Sequence, residues 1–496
     1  MVLPPKTHGG RLIVKALVFL LGLVSTCLAF AEPNDKLPDF GSPADVALSK
    51  SREAQLGRGV MAQLRNAGVV VDDPQLTEYI SSLGSQLASR ANNGDFQFHF
   101  FFVKDDQINA FALPGGYVGV NSGLLLATNN ENELAGVLAH EISHVTQRHI
   151  ARAMYDNERV SIVSMAAMLA AILLGAASNG HGDALAGVVA GTQGLTQQHQ
   201  INFTRGNEIE ADRVGMDLLS SAGFDPNGMS SFFEEIGKRY GAQEQYIPAL
   251  LQSHPVTTER IAEARARARQ LPQTKHPDSA GYGLARARMQ VLSAPTPEAA
   301  FALYKDQGDS NNPADRYGLA LSEMRMNLND NAERIMRDLS TEFPTVIAYR
   351  IGRAEALMSS GSTDEALAYY KDAERLFPRN VPLTISYADA LIAAGQAAAA
   401  HSLLLDLLNN VEATPEQLRL IARAANAEGD VGDAYYYMSY YYGQTGNTQL
   451  AISQVRLALE TPGVHAIERE RFKARLQELI DYLPPEQRRA AARAPP

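Results

Sequence analysis

From residue 320 onward, alanine returns at a step of 34. One series is Ala320, Ala354, Ala388 and Ala422, and a second is Ala332, Ala366, Ala400 and Ala434. Pro344 and Pro378 keep the same step. A fixed period of this length belongs to helix-pair repeats. Small residues are needed where paired helices cross closely, and proline ends the second helix of a pair. The clearest unit carries Ala354, Leu357, Gly361, Ala366, Tyr370, Ala373 and Pro378. After Ala434 the phase blurs, and Gly446, Ala451, Ala458 and Pro462 suggest one more helical pair starting near Tyr435. This half of the chain is thereby constrained to an α-solenoid, whose concave face takes up proteins or peptides. The bland alternative is a set of generic helical hairpins. Tyr435 to Tyr437 and Tyr440 to Tyr442 fit either a concave lining or a core.

The other half is organised around His140-Glu141-Ile142-Ser143-His144, which reads H-E-x-x-H. It closes a run of helix formers, Glu131 to Ala139, with one glycine and no proline. Residues four apart lie on one helix face, so His140 and His144 can offer two imidazoles to one metal ion. Zinc needs a third protein ligand and leaves a position open for water. Glu141 is turned from His140 by about 100°, which suits a group that takes the proton from that water. Alone, the motif also fits a surface helix with two solvated histidines.

Its surroundings favour the metal site. Downstream, Phe203 to Leu219 reads as a helix, with Glu208 and Asp212 four apart on one face. Glu208 is the third zinc ligand in this reading. Asp212 accepts a hydrogen bond from a ligand histidine and fixes its tautomer. Arg205 braces the Glu208 carboxylate or contacts substrate, and Glu210 points away into solvent. Ser253-His254-Pro255 precedes a capped helix start at Thr257-Thr258. His254 either steadies the tetrahedral intermediate or occupies the open zinc position and holds the enzyme latent.

Upstream, Ala44–Ala67 and Pro74–Ala91 carry apolar residues at helical spacing, and Phe96–Val103 is an aromatic, β-prone strand. His99 in that strand reads as a cross-strand packing residue. In Asn109-Ala110-Phe111-Ala112-Leu113-Pro114-Gly115-Gly116-Tyr117-Val118-Gly119-Val120, proline and glycines interrupt two short β-like runs. Proline belongs at a sheet edge, and an edge can take an extended peptide as an extra strand. Asn109, Ala110, Phe111 and Ala112 are the expected substrate edge; a plain hairpin is the alternative.

Residues 1–31 look like a targeting segment. Lys6, Arg11 and Lys15 precede an apolar core from Ala16 to Leu28, and Ala29-Phe30-Ala31 is a small-x-small site. Cleavage takes the net charge from -11 to -14, a balance that argues against nucleic acid as partner. An uncleaved anchor, or a lipoprotein through Cys27, is the weaker reading. Cys27 is the single cysteine, so the mature chain has neither disulfides nor thiolate ligands. Val160 to Ala177 carries no charge and is just long enough to span a bilayer. It lies between two parts of one site, so a lid or a membrane-surface helix is preferred over a span.

Taken together, H-E-x-x-H, the later E-x-x-x-D, the earlier N-A-F-A-x-P-G-G and the following S-H-P resemble the HtpX/CAAX-prenyl-protease type of gluzincin metallopeptidase. The resemblance runs from about Ala44 to Ala268. It implies His140, His144 and Glu208 as zinc ligands, Glu141 as catalytic base and Asp212 as support. The repeats have the tetratricopeptide period. The whole layout resembles the periplasmic, repeat-bearing branch of that family in Gram-negative bacteria.

That resemblance implies a zinc endopeptidase, with one Zn2+ per chain and chaperone-like activity. It would promote assembly of outer-membrane β-barrel proteins and degrade misfolded ones. Its partners would be those proteins and the β-barrel assembly machinery. The rival reading is a scaffold acting through its repeats, with a latent or structural zinc site; the intact Glu141 speaks against it. A third reading, a transmembrane protease, rests on Val160 to Ala177 alone.

The expected architecture is mainly α. A leader (1–31) precedes a zincin-type α+β domain with a small sheet (32–271). A linker (272–295), a tetratricopeptide array (296–483) and a basic, disordered tail (484–496) follow.

Overall fold

The computed structural model of the chain describes residues 48–91, 96–154, 169–170, 205–240, 249–306 and 310–483, with Met1, Glu486 and Arg488. The leader, nearly all of the apolar run 160–177 and most of the tail lie outside the described residues. Among the described residues no helix is long and apolar enough to cross a membrane.

Helices α1 (Lys50–Asn66) and α2 (Pro74–Ala88) lead into a three-stranded sheet, β1 (His99–Val103), β2 (Ala110–Leu113) and β3 (Tyr117–Asn121). Their order is β1-β3-β2, with β1 parallel and β2 antiparallel to β3. The apolar run of β1 does not alternate because both faces of the sheet are covered. Phe100, Phe102, Ala112, Val118 and Val120 join the large core on one side. Phe101, Val103 and Leu113 pack with Leu56 and Val60 of α1 on the other, where Leu169 and Ala170 are also buried. The strand starts later than residue 96, and His99 is cross-strand partner to Tyr117, ring against ring at 4.7 Å. The β2–β3 turn uses Gly115 and Gly116 at φ 80 and 87, a region that strains other residues. Strand β2 is an edge of the sheet, and Pro114 follows its last residue.

After α3 (Ser122–Ala127), helix α4 (Glu131–Thr146) begins at Asn130, whose side chain caps Glu133 N. Its residues are buried from Glu131 to Val145, so it is apolar on nearly every side apart from its chemistry. It rests on β2, α2, α6 (Arg205–Ser221) and α7 (Asn227–Tyr240). The short helix α5 (His149–Met154) lies between α4 and α6 in the chain. Gly215 of α6 lets that helix meet α4 closely, because a Cβ there would stand 3.1 Å from the Ala139 carbonyl and the His140 nitrogen. Helices α8 (Ala249–Ser253) and α9 (Thr258–Ala268) complete this half. Helix α9 is capped by Thr257, as the sequence suggests.

The expected linker 272–295 instead contains a helix, α10 (Ala280–Ser293). Tyr282, Ala285 and Met289 enter the peptidase core, while Ala287 and Val291 enter the first core of the repeats. Its apolar residues are shared between two cores and form no single stripe, so the helical pattern is weak in sequence. Arg288 of α10 grips Asp73 through both carboxylate oxygens at 2.7–2.9 Å and also reaches the Tyr317 hydroxyl.

The array follows as α11 (Pro297–Tyr304), α12 (Pro313–Arg325), α13 (Asn329–Glu342), α14 (Ile347–Ser359) and α15 (Thr363–Leu376). It continues through α16 (Val381–Ala393), α17 (Ala397–Leu408), α18 (Pro415–Glu428), α19 (Val431–Gln444), α20 (Thr448–Glu460) and α21 (Ala466–Tyr482). Ala320, Ala354, Ala388 and Ala422 lie in the first helix of successive pairs, and the second series in the partner helix; all are buried. Tyr435 falls inside α19, which already begins at Val431, so the last pair starts later than the sequence suggests. Tyr436 is core, with Tyr435, Tyr437, Tyr440 and Tyr442 packed around it.

The array also returns to the peptidase half. Asn66 donates to the Thr445 carbonyl at 3.4 Å, Gln97 to Glu412 at 2.8 Å and Asn380 to Glu78 at 2.9 Å.

Candidate metal centre

Helix α4 presents His140 and His144 one turn apart, α6 presents Glu208, and the loop before α9 presents His254. One ligand atom from each lies within 4.8 Å of every other, and all four residues are buried. His140 Nε2 stands 3.0 Å from His144 Nε2 and 3.5 Å from Glu208 Oε2. His144 Nε2 is 3.5 Å from Glu208 Oε1. His254 Nδ1 is 2.9 Å from Glu208 Oε1 and 3.4 Å from His140 Nε2. Metal–ligand bonds of about 2.0–2.2 Å in tetrahedral array separate neighbouring donors by about 3.4 Å. The five edges given above, 2.9–3.5 Å, are close to that spacing, and the donors are nitrogen and carboxylate oxygen without sulfur, so the residues present fit a divalent cation.

The electrostatics point the same way. Burial disfavours a proton on His140, yet Asp212 and Glu208 outweigh it and raise the pKa to about 10. Burial lifts the Glu208 carboxyl, but His254 and His140 outweigh that and hold it far below the usual carboxylate range. Burial, then His140 and His254, keep His144 neutral. The pocket thus concentrates negative charge around a point that a cation can fill in place of a proton.

Glu141 is fully buried, and neither of its carboxylate oxygens has a hydrogen-bond partner among the described residues. His254 Nε2 stands 3.7 Å from its Oε1. An unsatisfied buried carboxylate is costly, and a water at the metal position is the partner that would satisfy it.

Asp212 meets His140 Nδ1 at 2.9 Å, on the ring edge opposite the cluster. It is itself held by Arg260, with Nε to Oδ2 at 2.7 Å and Nη2 to Oδ1 at 2.8 Å. The same guanidinium donates from Nη1 to Pro255 O at 2.9 Å and stands 2.9 Å from Glu208 Oε2. It also lies over the Phe233 ring. Arg260 therefore ties together α6, the His254 loop and α9. Arg260 is not among the site residues expected from sequence, although a signal exists: Arg260, Ala264 and Ala268 form the buried face of α9. A charge on an apolar stripe demands a buried partner.

Arg205, expected beside Glu208, is instead two-thirds exposed and paired with Glu259 at the surface. It is the first residue of α6, and Arg260 already fills the position beside Glu208. Glu210, expected to be solvated, accepts from His149 at 3.2 Å and from Arg152 at 3.0 Å. Ala110 to Ala112 lie in edge strand β2, with Asn109 just before it, and α4 packs beside that strand.

A model of peptidase family M48 matches residues 74–268, and a tetratricopeptide-repeat model matches residues 357–424. The β-barrel assembly-enhancing protease of Escherichia coli (strain K12) is 39% identical over 339 residues, covering 67% of this chain and 68% of that protein. A putative β-barrel assembly-enhancing protease of Vibrio cholerae is 40% identical over 331 residues, 65% of this chain and 68% of that one. The mitochondrial metalloendopeptidase OMA1 of Schizosaccharomyces pombe is 31% identical over 185 residues, 37% of this chain and 51% of its own.

Proposed function

The chain belongs to the β-barrel assembly-enhancing proteases, metallopeptidases of family M48, and we propose that it is a periplasmic zinc endopeptidase with chaperone-like activity. In this reading the leader (1–31) exports it in a Gram-negative bacterium. It promotes assembly of outer-membrane β-barrel proteins and degrades those that misfold. Its repeats engage these substrates or the assembly machinery. The observation that carries the reading is the closed His140–His144–Glu208–His254 cluster with the unbonded Glu141 carboxylate beside it.

His140, His144 and Glu208 hold the zinc. Bound there, zinc supplies a Lewis acid for the scissile carbonyl and makes water acidic enough to lose a proton. Glu141 takes that proton as water attacks and returns it to the leaving amine. Asp212 holds the His140 ring, and Arg260 holds Asp212. The edge of β2, from Asn109 to Ala112, pairs with an extended substrate segment.

His254 has two candidate roles. Its Nε2 is near Glu141, which suits a donor to the developing oxyanion. Its Nδ1 stands at ligand spacing within the cluster, which favours a closed, latent resting site.

The test is cleavage of an unfolded protein by wild type, Glu141→Gln and His254→Ala, with zinc content determined for each. Glu141→Gln should keep its zinc and lose about 10²–10⁴-fold in rate. His254→Ala cleaves faster if His254 restrains the site and slower if it aids catalysis. Wild type that binds zinc but cleaves nothing, with Glu141→Gln still supporting assembly in cells, would leave the scaffold reading.

A further inference from the structure

His140 is oriented from behind by Asp212. His144 is oriented by something else. Its Nδ1 faces His149 Nδ1 at 2.9 Å, and His149 Nε2 faces Glu210 Oε2 at 3.2 Å. Arg152 Nη1 donates to that same Glu210 oxygen and Nη2 donates to Asn207 Oδ1 at 3.2 Å. The His149 side chain is completely buried, whereas Glu210 and Arg152 are 38% and 42% exposed. A buried chain of hydrogen bonds thus leads from the candidate metal position, through two imidazoles, to a carboxylate at the surface.

The protons on this chain can be assigned. His144 Nε2 points into the donor cluster, so its lone pair belongs to the cation and its proton sits on Nδ1. His144 Nδ1 then donates, and His149 Nδ1 must accept. That leaves the His149 proton on Nε2, where it is donated to Glu210. Each link admits one tautomer only.

The backbone is bent to make this contact. A continuous helix would put His149 five residues past His144, on the far side of the axis. Helix α4 stops at Thr146, and Arg148 takes the left-handed conformation at φ 53. This is a conformation that a residue with a Cβ rarely adopts. Arg148 is secured there by Glu53 at 3.2 Å and by the Leu48 carbonyl. The reversal brings His149 back under His144.

We propose that His149 is a positioning residue for the metal centre, fixing the tautomer and ring plane of His144 through a relay anchored on Glu210. The inference rests on the metal reading above. His149 lies outside the donor cluster, and the role assigned to it is exerted through His144.

The test is zinc affinity of the purified full chain, measured by competition with a chromophoric chelator. Wild type, His149→Ala, His149→Asn and Glu210→Ala are compared, with melting temperatures in excess chelator as the control for folding. His149→Ala should bind zinc about 10–100-fold more weakly while melting like wild type in chelator. Asparagine offers Oδ1 near the place of Nδ1, so His149→Asn should recover most of the loss. Glu210→Ala should show a smaller weakening. Wild-type affinity in His149→Ala, or an Asn variant as weak as the Ala variant, would overturn the relay. Should His149→Ala not fold, the remaining pair decides: recovery in His149→Asn with weakening in Glu210→Ala supports it, and any other pattern overturns it. A wild-type chain that binds no zinc would remove the metal reading itself and the relay with it.

Discussion

The two halves of this molecule are stabilised in opposite ways. In the repeats, each helix packs mainly on the next one along the chain, and buried alanines set the spacing. In the peptidase half, the decisive contacts join residues far apart in sequence: His254 meets His140 across 114 positions, and Arg260 meets Asp212 across 48. Those contacts are also polar and buried, unlike the alanine contacts. A repeat array is nearly additive along the chain. A buried polar cluster is satisfied as a whole or not at all. The difference predicts where a single substitution is local and where it is not.

Arg260→Ala should be the most damaging change of this kind outside the metal donors. It leaves Asp212 and Glu208 buried without their guanidinium, a loss of about 3–5 kcal/mol. Urea denaturation measures it, and zinc affinity should fall in parallel because His140 and Glu208 both lose support. A variant as stable as wild type would erase the contrast between the halves.

Ala388→Leu tests the other side. Ala388 has no exposed surface in the array, and the three extra carbons of leucine cannot be accommodated without moving a helix. Overpacking should cost about 1–3 kcal/mol in denaturation, with zinc content unchanged. Loss of zinc in this variant would show that the halves are not separable.

Asp72 reports on the seam between them, and its effect is the smallest. Its pKa is pushed up to about 6, first by burial and then by Glu416, while Arg419, 3.8 Å away, pulls it down. The folded chain therefore holds this proton more tightly than the unfolded chain does. The penalty for ionising it grows as pH rises from the ordinary aspartate range towards 6, and stays constant above that. Asp72→Asn should melt roughly 1–2 °C above wild type at pH 7 and together with it at pH 4. A gain confined to low pH would contradict the assignment.

The same contrast explains what could be read from the chain before folding. The repeats were legible because their period is written in one residue type, at one step. The candidate donors His140, His144 and Glu208 are legible because helical spacing sets His140 beside His144 and Glu208 beside Asp212. Arg260 was overlooked because a charge on an alanine-rich, arginine-rich helix looks solvated until its face is known. His149 was out of reach for a different reason: its placement depends on a left-handed residue at Arg148, which no composition signals. Helix α10 looks like a linker in sequence because it divides its apolar side chains between two cores.

The return of the array to its starting point has a mechanical consequence. A solenoid attached at one end is a cantilever, and its tip swings freely. This one is pinned at its start, where Arg288 grips Asp73 in a buried fork. It is then held again along its length, by Asn380 on Glu78, Glu412 on Gln97, Arg419 on Asp72 and the long bond from Asn66 to the Thr445 carbonyl. Single hydrogen bonds hold about 0.5–1.5 kcal/mol each, so no one of these later ties is strong. The array is therefore a strap, bolted at one end and stitched lightly along the rest.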